Sequence, residues 1–449
     1  MKRKIYGKLS GWKQEKFKTA ALIDGARRVG KSYIAEEFAK NEYKSYIWID
    51  FNSVDNNIKN VFQNMLGDLE NFFMYLSSYY GVKLYERDTV FVFDEVQLFP
   101  RARAAVKYLV ADGRYDYIET GSIVSIHKNV KDILIPSEER HMMMYPMDFE
   151  EFLWALDNEI LYSFLREMFE KKQPLGQALH RKAIDYFRQY MIVGGMPQAV
   201  KDFVDTKDFE SVDKIKRDIL ELYRSDIAKH ATGAERKAQN IFDSIPSQLQ
   251  RHESRFKLSS LKKEARFRDY EEAIFWLQDA RLVNMCFNTT EPNIGLNLNL
   301  DRITFKCYLA DTGLLLSQAF SERDVISKEI SKKILFDKLE VNLGMIVENM
   351  VAQMLVAAGH KLFFYSNSSR EDSSSRMKID FLLAKNKITN GHNISPIEVK
   401  SSKRYTLSSL KKFQVKYKQQ LHTPYVIHMN DYKEENGITY IPIYMTMFL

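Results

Sequence analysis

Apolar positions change their spacing along the chain, and the changes divide it into segments. Up to about residue 145, short apolar runs alternate with helical stripes. The runs at 19–23, 45–50, 89–93, 115–119 and about 141–145 are short and nearly continuous, as expected of strands buried on both faces of a parallel sheet. Helical segments follow some of these runs, Tyr33–Ala39 after the first and Arg101–Ala111 after the third. Residues 1–18 read as a lead-in segment. Strands alternating with helices predict a doubly wound α/β unit over 1–148.

From about residue 149 the period becomes helical. Helices are expected at Phe149–Leu156, Ile160–Lys171 and Leu179–Gln189, broken by Gly194-Gly195-Met196-Pro197 and resuming near Gln198. This gives a helical region over 149–234. Residues 235–330 read differently: a short helix at Leu258–Glu264, a second at Tyr270–Ala280 and a strand at Leu282–Phe287. Two short helices followed by a strand predict a winged helix-turn-helix. The last segment, 331–449, is again α/β. An amphipathic helix at Gly344–Ala358 carries apolar residues at helical spacing. Strands follow at Leu362–Tyr365, Met377–Ala384, Ile394–Ser401 and Thr423–His428, with a Ser-rich loop at Asn367–Arg376, a hairpin turn at Asn390-Gly391 and a helix from Leu407 to about Gln419.

Two places on this scaffold carry chemistry. Gly25-Ala26-Arg27-Arg28-Val29-Gly30-Lys31-Ser32 fits G-x-x-x-x-G-K-[ST] and lies between an apolar strand and a helix, the setting that gives the pattern its meaning. Its glycines let backbone N–H groups curl around phosphate oxygens, and the helix N-terminus adds partial positive charge. Lys31 reaches the β- and γ-phosphates, and Ser32 offers a hydroxyl to Mg²⁺. The run Thr89–Phe93 ends in Asp94-Glu95. Two acids at the end of a buried strand need a partner. Asp94 is assigned to Mg²⁺ and Glu95 to the attacking water. At the next strand's tip, Thr120, with Ser122 as second choice, is placed to touch the γ-phosphate or that water.

The second place is near the C-terminus. Glu348 lies beside the apolar stripe of its helix, Asp380 is on a strand, and Glu398 and Lys400 are two apart on the next strand, so they share a face. Two carboxylates on adjacent strands with a lysine beside one suit a Mg²⁺ that holds a scissile phosphate. The order Glu348…Asp380…Glu398-Val399-Lys400 is that of the PD-(D/E)xK nuclease fold. The alternative is the same fold used as an interaction domain, with these charges as a salt-bridge cluster.

Composition narrows the picture. With 449 residues, 45% hydrophobic and 28% charged, the chain is globular and has more than one core. No apolar run approaches the ~20 residues needed to span a bilayer, and the basic start lacks an apolar leader, which together predict a cytoplasmic protein that does not enter a membrane. Two cysteines, Cys286 and Cys307, are too few for a disulfide framework or a zinc site. The net charge of +7 permits nucleic-acid binding without arguing for it. The charge is locally higher between 251 and 269, where Arg251, Arg255, Lys257, Lys262, Lys263, Arg266 and Arg268 face three acids. This stretch is either a DNA-contacting face or an ordinary solvated one.

Taken together, the phosphate loop, Phe93-Asp94-Glu95-Val96-Gln97, Glu119-Thr120-Gly121-Ser122, Gly194-Gly195-Met196-Pro197, Tyr223-Arg224-Ser225-Asp226-Ile227, Asp311-Thr312-Gly313-Leu314, Gly344…Glu348-Asn349, Ile379-Asp380-Phe381 and Ile397-Glu398-Val399-Lys400 resemble a family of prokaryotic AAA+-like P-loop ATPases. That family carries a C-terminal domain of unknown function with a nuclease-like fold. The resemblance implies ATP binding and hydrolysis with Mg²⁺, a winged helix after the ATPase core and the nuclease-like domain last. The resemblance supplies no cellular role; DNA is a candidate partner from the basic stretch and the acidic site, and self-assembly is left open, since many relatives of this ATPase class form rings. Arg140, just before the fifth strand, is the candidate arginine finger. Arg224 and Asp226 either form an intramolecular salt bridge or reach a neighbouring domain or subunit. The expected activity is ATP hydrolysis coupled to the action of the nuclease-like domain on nucleic acid. The alternative is a nucleotide-switched binding or regulatory protein whose nuclease-like domain is inactive.

Overall fold

The computed structural model describes residues 1–15, 19–121, 137–251, 255–293, 295–320, 324–336, 343–367, 376–389, 392–402 and 404–449. Ser122 and the Asn390-Gly391 turn lie outside the described residues, as does most of the Ser-rich loop. The chain forms two compact units, Met1–Tyr145 and Pro146–Leu449.

In the first unit, β1 (Ala20–Asp24), β2 (Ser45–Asp50), β3 (Thr89–Asp94), β4 (Asp116–Gly121) and β5 (Glu139–Met143) form one sheet in the order β2-β3-β4-β1-β5. Every pairing is parallel, as the continuous apolar runs predict. All residues of β1, β3 and β4 are buried. The crossovers include α2 (Lys31–Glu42), α3 (Asn56–Asn64), α4 (Leu69–Tyr80) and α5 (Pro100–Asp112). Phe51, Phe62, Phe72, Phe73 and Phe93 pack α3 and α4 against β3. What matters for function is the strand order. β4 is inserted between β1 and β3, so the tip of β4 lies between the loop after β1 and the acids after β3.

The lead-in segment is in fact a helix, α1 (Lys4–Lys13). Ile5, Leu9 and Trp12 bury one face at i, i+4 and i+7. Just ahead of it, buried Arg3 donates from Nη1 to Val29 O at 2.8 Å and from Nη2 to Tyr145 O at 2.7 Å.

The second unit begins with helices α6 (Phe149–Ala155), α7 (Glu159–Lys171), α8 (Gln177–Val193), α9 (Pro197–Thr206), α10 (Phe209–His230) and α11 (Glu235–Gln250). Asp148 caps α6 in a reciprocal capping box with Glu151. The expected helix at Leu258–Glu264 is only a 3₁₀ turn, Leu258–Ser260. Its single buried residue, Leu258, gives the segment too little apolar surface to dock a full helix. The next helix forms as α12 (Phe267–Asp279), and is followed by the antiparallel pair β6 (Val283–Thr289) and β7 (Leu300–Leu309).

That pair does not stand alone. With β8 (Leu362–Asn367), β9 (Met377–Thr389), β10 (His392–Val399), β11 (Tyr425–His428), β12 (Lys433–Glu435) and β13 (Ile438–Pro442), it forms an eight-stranded sheet in the order β12-β13-β11-β10-β9-β8-β6-β7. β6 pairs parallel to β8, so the expected segments 235–330 and 331–449 share one sheet. Three further helices are α13 (Thr312–Ala319), α14 (Asp324–Leu335) and α15 (Leu343–Ala357), and α16 (Ser408–Lys416) precedes β11. α15 is almost wholly buried.

Two of the quoted motifs meet here. Asp311 caps α13 through Leu314 N at 2.9 Å and accepts from Gly195 N at 2.6 Å. The turn after α8 therefore has no room for side chains. A Cβ on Gly195 would lie 2.1 Å from Met147 O, and one on Gly313 would lie 2.5 Å from Val193 O. Buried Lys216 ties in the same turn through Ile192 O at 2.7 Å, and Gln353 of α15 accepts from Thr312 N at 2.8 Å. Gly195→Ala should therefore destabilise the second unit by about 3 kcal/mol, the upper range for overpacking against fixed backbone. Denaturant unfolding checks this, and a loss under about 0.5 kcal/mol would contradict it.

Candidate nucleotide site and C-terminal acidic site

The phosphate loop joins β1 to α2. Gly30 has φ 94° and Arg28 φ 69°, conformations that glycine tolerates best. Gly25 also runs so close to Met144 that a Cβ there would lie 2.2 Å from its carbonyl oxygen. Arg27 and Arg28 are exposed at the tip, while Ala26 and Val29 are buried beneath it. Lys31 is 7% exposed and donates to Gly25 O at 3.0 Å and Ala26 O at 3.1 Å. Burial pulls its ammonium below the usual value, opposed by the charges of Glu95, Asp24 and Asp94.

At the end of β3, Asp94 Oδ1 accepts from Ser32 Oγ at 2.7 Å and also from Thr120 Oγ1. Burial pushes the Asp94 carboxyl up, opposed by these two hydrogen bonds. Glu95 adopts φ 52°, a left-handed conformation that is costly for a residue with a side chain and tends to persist at functional positions. Its N–H donates to Thr120 Oγ1 at 3.2 Å, and its carboxylate accepts from Gln97. The strand order thus brings Lys31, Ser32, Asp94, Glu95 and Thr120 together. This set can neutralise a triphosphate, ligate Mg²⁺ through Ser32 and Asp94, and orient a water through Glu95.

Arg3 is a residue that the sequence reading passed over. It supports the loop from behind through Val29 O, and the apolar spacing of Ile5, Leu9 and Trp12 was the signal available for its helix. Arg140 lies on β5, ion-paired with Glu15. Arg224 pairs within the chain with Glu221 and with Asp243 at 3.2 Å, joining α10 to α11. The seven cations between 251 and 269 are all exposed.

In the second unit, α15, β9 and β10 bring Glu348, Asp380, Glu398 and Lys400 together. Asp380 Oδ2 accepts from Val399 N at 3.0 Å. Lys400 Nζ lies 2.5 Å from Glu398 Oε2, whereas buried Glu398 Oε1 has no hydrogen-bond partner. Burial and the neighbouring Asp380 charge raise the Glu398 carboxyl to about 7. Glu348 Oε1 instead accepts from Lys306 Nζ at 2.8 Å and from Tyr308 Oη at 2.6 Å. Lys306 is also 3.8 Å and Lys378 3.5 Å from Asp380 Oδ1. Among the described residues no group of three or more His, Cys, Asp or Glu is placed to hold a metal. The unpartnered Glu398 Oε1 and the neighbouring Asp380 carboxylate are the groups there that could take a divalent cation. Cys286 and Cys307 are free and buried. No helix among the described residues is long and apolar enough to cross a membrane.

The family model described as "AAA domain" matches residues 18–153. Two further models, both described as domains of unknown function, match 184–324 and 343–446. No curated protein matches the chain. Among solved structures, the Walker-type ATPase PABY2304 of Pyrococcus abyssi is 13% identical, with a TM-score of 0.42 over 70% of this chain and 94% of that one. The ORC1 protein of Aeropyrum pernix in complex with DNA is 11% identical (TM-score 0.26, 73% and 92% covered), and AMPPCP-bound DnaA from Aquifex aeolicus is 13% identical (TM-score 0.27, 62% and 86% covered). The matched model, the all-parallel sheet and the intact phosphate loop define the first unit as a nucleotide-binding P-loop ATPase domain of the AAA type.

Glu398 makes a pH prediction. A carboxyl raised in the folded state stabilises it below the unfolded value near 4.5 and loses that contribution as pH climbs through about 7. Without added metal, Glu398→Gln should gain on the order of 3 kcal/mol relative to the native chain between pH 4.5 and 7. Denaturant unfolding at stepped pH measures the difference, and a pH-independent gap would refute the assignment.

Proposed function

We propose that the chain is a Mg²⁺-dependent ATPase that couples ATP hydrolysis to the action of its nuclease-like C-terminal domain on nucleic acid. The observation that carries the ATPase reading is the meeting of the Ser32 and Thr120 hydroxyls on Asp94, with Lys31 turned onto the carbonyls of its own loop. In this reading Gly25–Ser32 cradle the phosphates, and Lys31 bears on the β- and γ-phosphates. Ser32 and Asp94 hold Mg²⁺, Glu95 orients the water, and Thr120 touches the γ-phosphate or that water. The C-terminal reading is supported by the convergence of Asp380, Glu398 and Lys400. There Asp380 and Glu398 would hold Mg²⁺, which would supply Lewis-acid activation of a phosphodiester; Lys400 would orient the water, and Glu348 would stand beside them. The exposed cations from Arg251 to Arg268 suit a nucleic-acid backbone, and the protein is assigned to the cytoplasm.

One observation favours a second reading. Each acid of the C-terminal site has a lysine against it: Lys306 on Glu348, Lys378 on Asp380, Lys400 on Glu398. Such a cluster also suits a nucleotide-switched protein whose nuclease-like domain recognises a partner without cutting it.

Glu95→Gln should lower ATP turnover by about 10²-fold or more while leaving nucleotide binding intact. Turnover equal to that of the native chain would sink the assignment of Glu95. Incubation of the full chain with plasmid and single-stranded DNA, with ATP and with Mg²⁺ or Mn²⁺, decides between the two readings. Cleavage that Asp380→Asn and Lys400→Ala both abolish supports the nuclease. Intact DNA under every metal, alongside normal ATP turnover, leaves the binding protein.

A further inference from the structure

The acidic site of the second unit contains a cation of its own. Lys306 lies on β7, the sheet edge, opposite Cys286 of β6, with β8 between β6 and β9, which carries Asp380. The residue is 4% exposed. The Phe364 ring of β8 lies 5.2 Å from Nζ, a favourable seat for a desolvated ammonium. The head stands 2.8 Å from Glu348 Oε1 and 3.8 Å from Asp380 Oδ1, so it bridges two carboxylates from different elements. Tyr308 Oη donates to the same Glu348 oxygen at 2.6 Å, which fixes that carboxylate toward Lys306.

Two-metal phosphoryl-transfer sites hold their cations roughly 3.5–4 Å apart, with a shared carboxylate between them. Here Asp380 is the carboxylate placed to be shared. On one side lies Glu398 with its unpartnered Oε1. On the other side, between Asp380 and Glu348, the buried Lys306 ammonium already stands, with the partly exposed Lys378 ammonium 3.5 Å from the same Asp380 Oδ1. We propose that Lys306 is the second cation of this site: Asp380 and Glu398 take a single divalent metal, and Lys306 supplies the other positive charge from the chain. This rests on the reading of Asp380 and Glu398 as a metal site. A buried ammonium supplies fixed charge and hydrogen bonds but cannot activate a water as a metal does. The site then needs Lys400 or the single metal for that task.

The experiment counts metal. Full-length chain carrying Ser32→Ala and Asp94→Asn, which remove the nucleotide-site metal, is titrated with Mn²⁺ at pH 8, and free Mn²⁺ is followed by electron paramagnetic resonance. The expected stoichiometry is one Mn²⁺ per chain with Lys306 present. It is two with Lys306→Met, which keeps the length and removes the charge, and one again with Lys306→Arg. Circular dichroism and thermal melts establish that each variant is folded. If Lys306→Met folds only with Mn²⁺, its refolding must take up two equivalents. Two Mn²⁺ bound with Lys306 in place, or one in a folded Lys306→Met, overturns the role given to Lys306. No Mn²⁺ bound in any variant overturns instead the reading of Asp380 and Glu398 as a metal site.

Discussion

The nucleotide site depends on one carboxylate. Asp94 receives hydroxyl hydrogen bonds from the start of α2 and from the tip of β4, and it can do so only because β4 lies between β1 and β3. A sheet with strands in sequence order would put β2 and β3 between β1 and β4, and Thr120 would lie far from the loop after β1. The inserted strand therefore makes three separate stretches of sequence into one site. The cost is a buried acid whose carboxyl is pushed up by desolvation. The same hydroxyls that oppose this shift would have to reorganise around a metal, so the site is held together by the groups it would use. Glu95 in its left-handed conformation follows from this arrangement: its N–H is drawn to Thr120, and that bond helps hold the following side chain in place.

The second unit is organised by a different constraint, close backbone approach. Gly194-Gly195 and Asp311-Thr312-Gly313 are more than a hundred residues apart, yet they form one clasp in which a carboxylate caps a helix and accepts from a facing turn. Asp213 and Lys216 extend this network, and Asn349 and Gln353 of α15 reach it from the other side. Asn349 follows Glu348, so the residue that places the helix is next to the one that faces the acidic site. The motifs between the two sites are thus explained by packing and satisfied hydrogen bonds and need no chemistry of their own.

Much of this was legible before any coordinates. The parallel strands of the first unit follow from apolar spacing, the phosphate loop from its sequence pattern, Asp94-Glu95 from charges placed where burial should forbid them, Thr120 from its strand tip, and the quartet Glu348, Asp380, Glu398 and Lys400 from the order of acids and lysine on helix and strands. What was hidden has a common cause. Arg3 and Lys306 read in sequence as ordinary surface cations, because nothing local shows that a long stem will be buried and its head delivered to a carbonyl or carboxylate far along the chain. The joining of β6 and β7 to the strands after residue 360 was hidden for the same reason, since the pairing of β6 with β8, Cys286 opposite Leu362, is fixed by tertiary packing. The short helix expected at Leu258 failed in the opposite direction: beyond the buried Leu258 its residues offered too little apolar surface to dock.

The two candidate sites solve the same electrostatic problem with different lysines. Lys31 rests on carbonyl oxygens of its own loop, bonds weak enough to exchange for phosphate oxygens, and burial alone favours giving up its proton or its position. Lys306 is held by two carboxylates, and their attraction outweighs a similar burial and raises its ammonium above the usual value. A lysine on carbonyls is therefore poised to move toward an arriving anion, whereas a lysine on carboxylates is a fixed part of the site. By that physical criterion the first unit is built to change with its ligand. The charge at the core of the acidic site in the second unit, held between two carboxylates, is built to stay where it is.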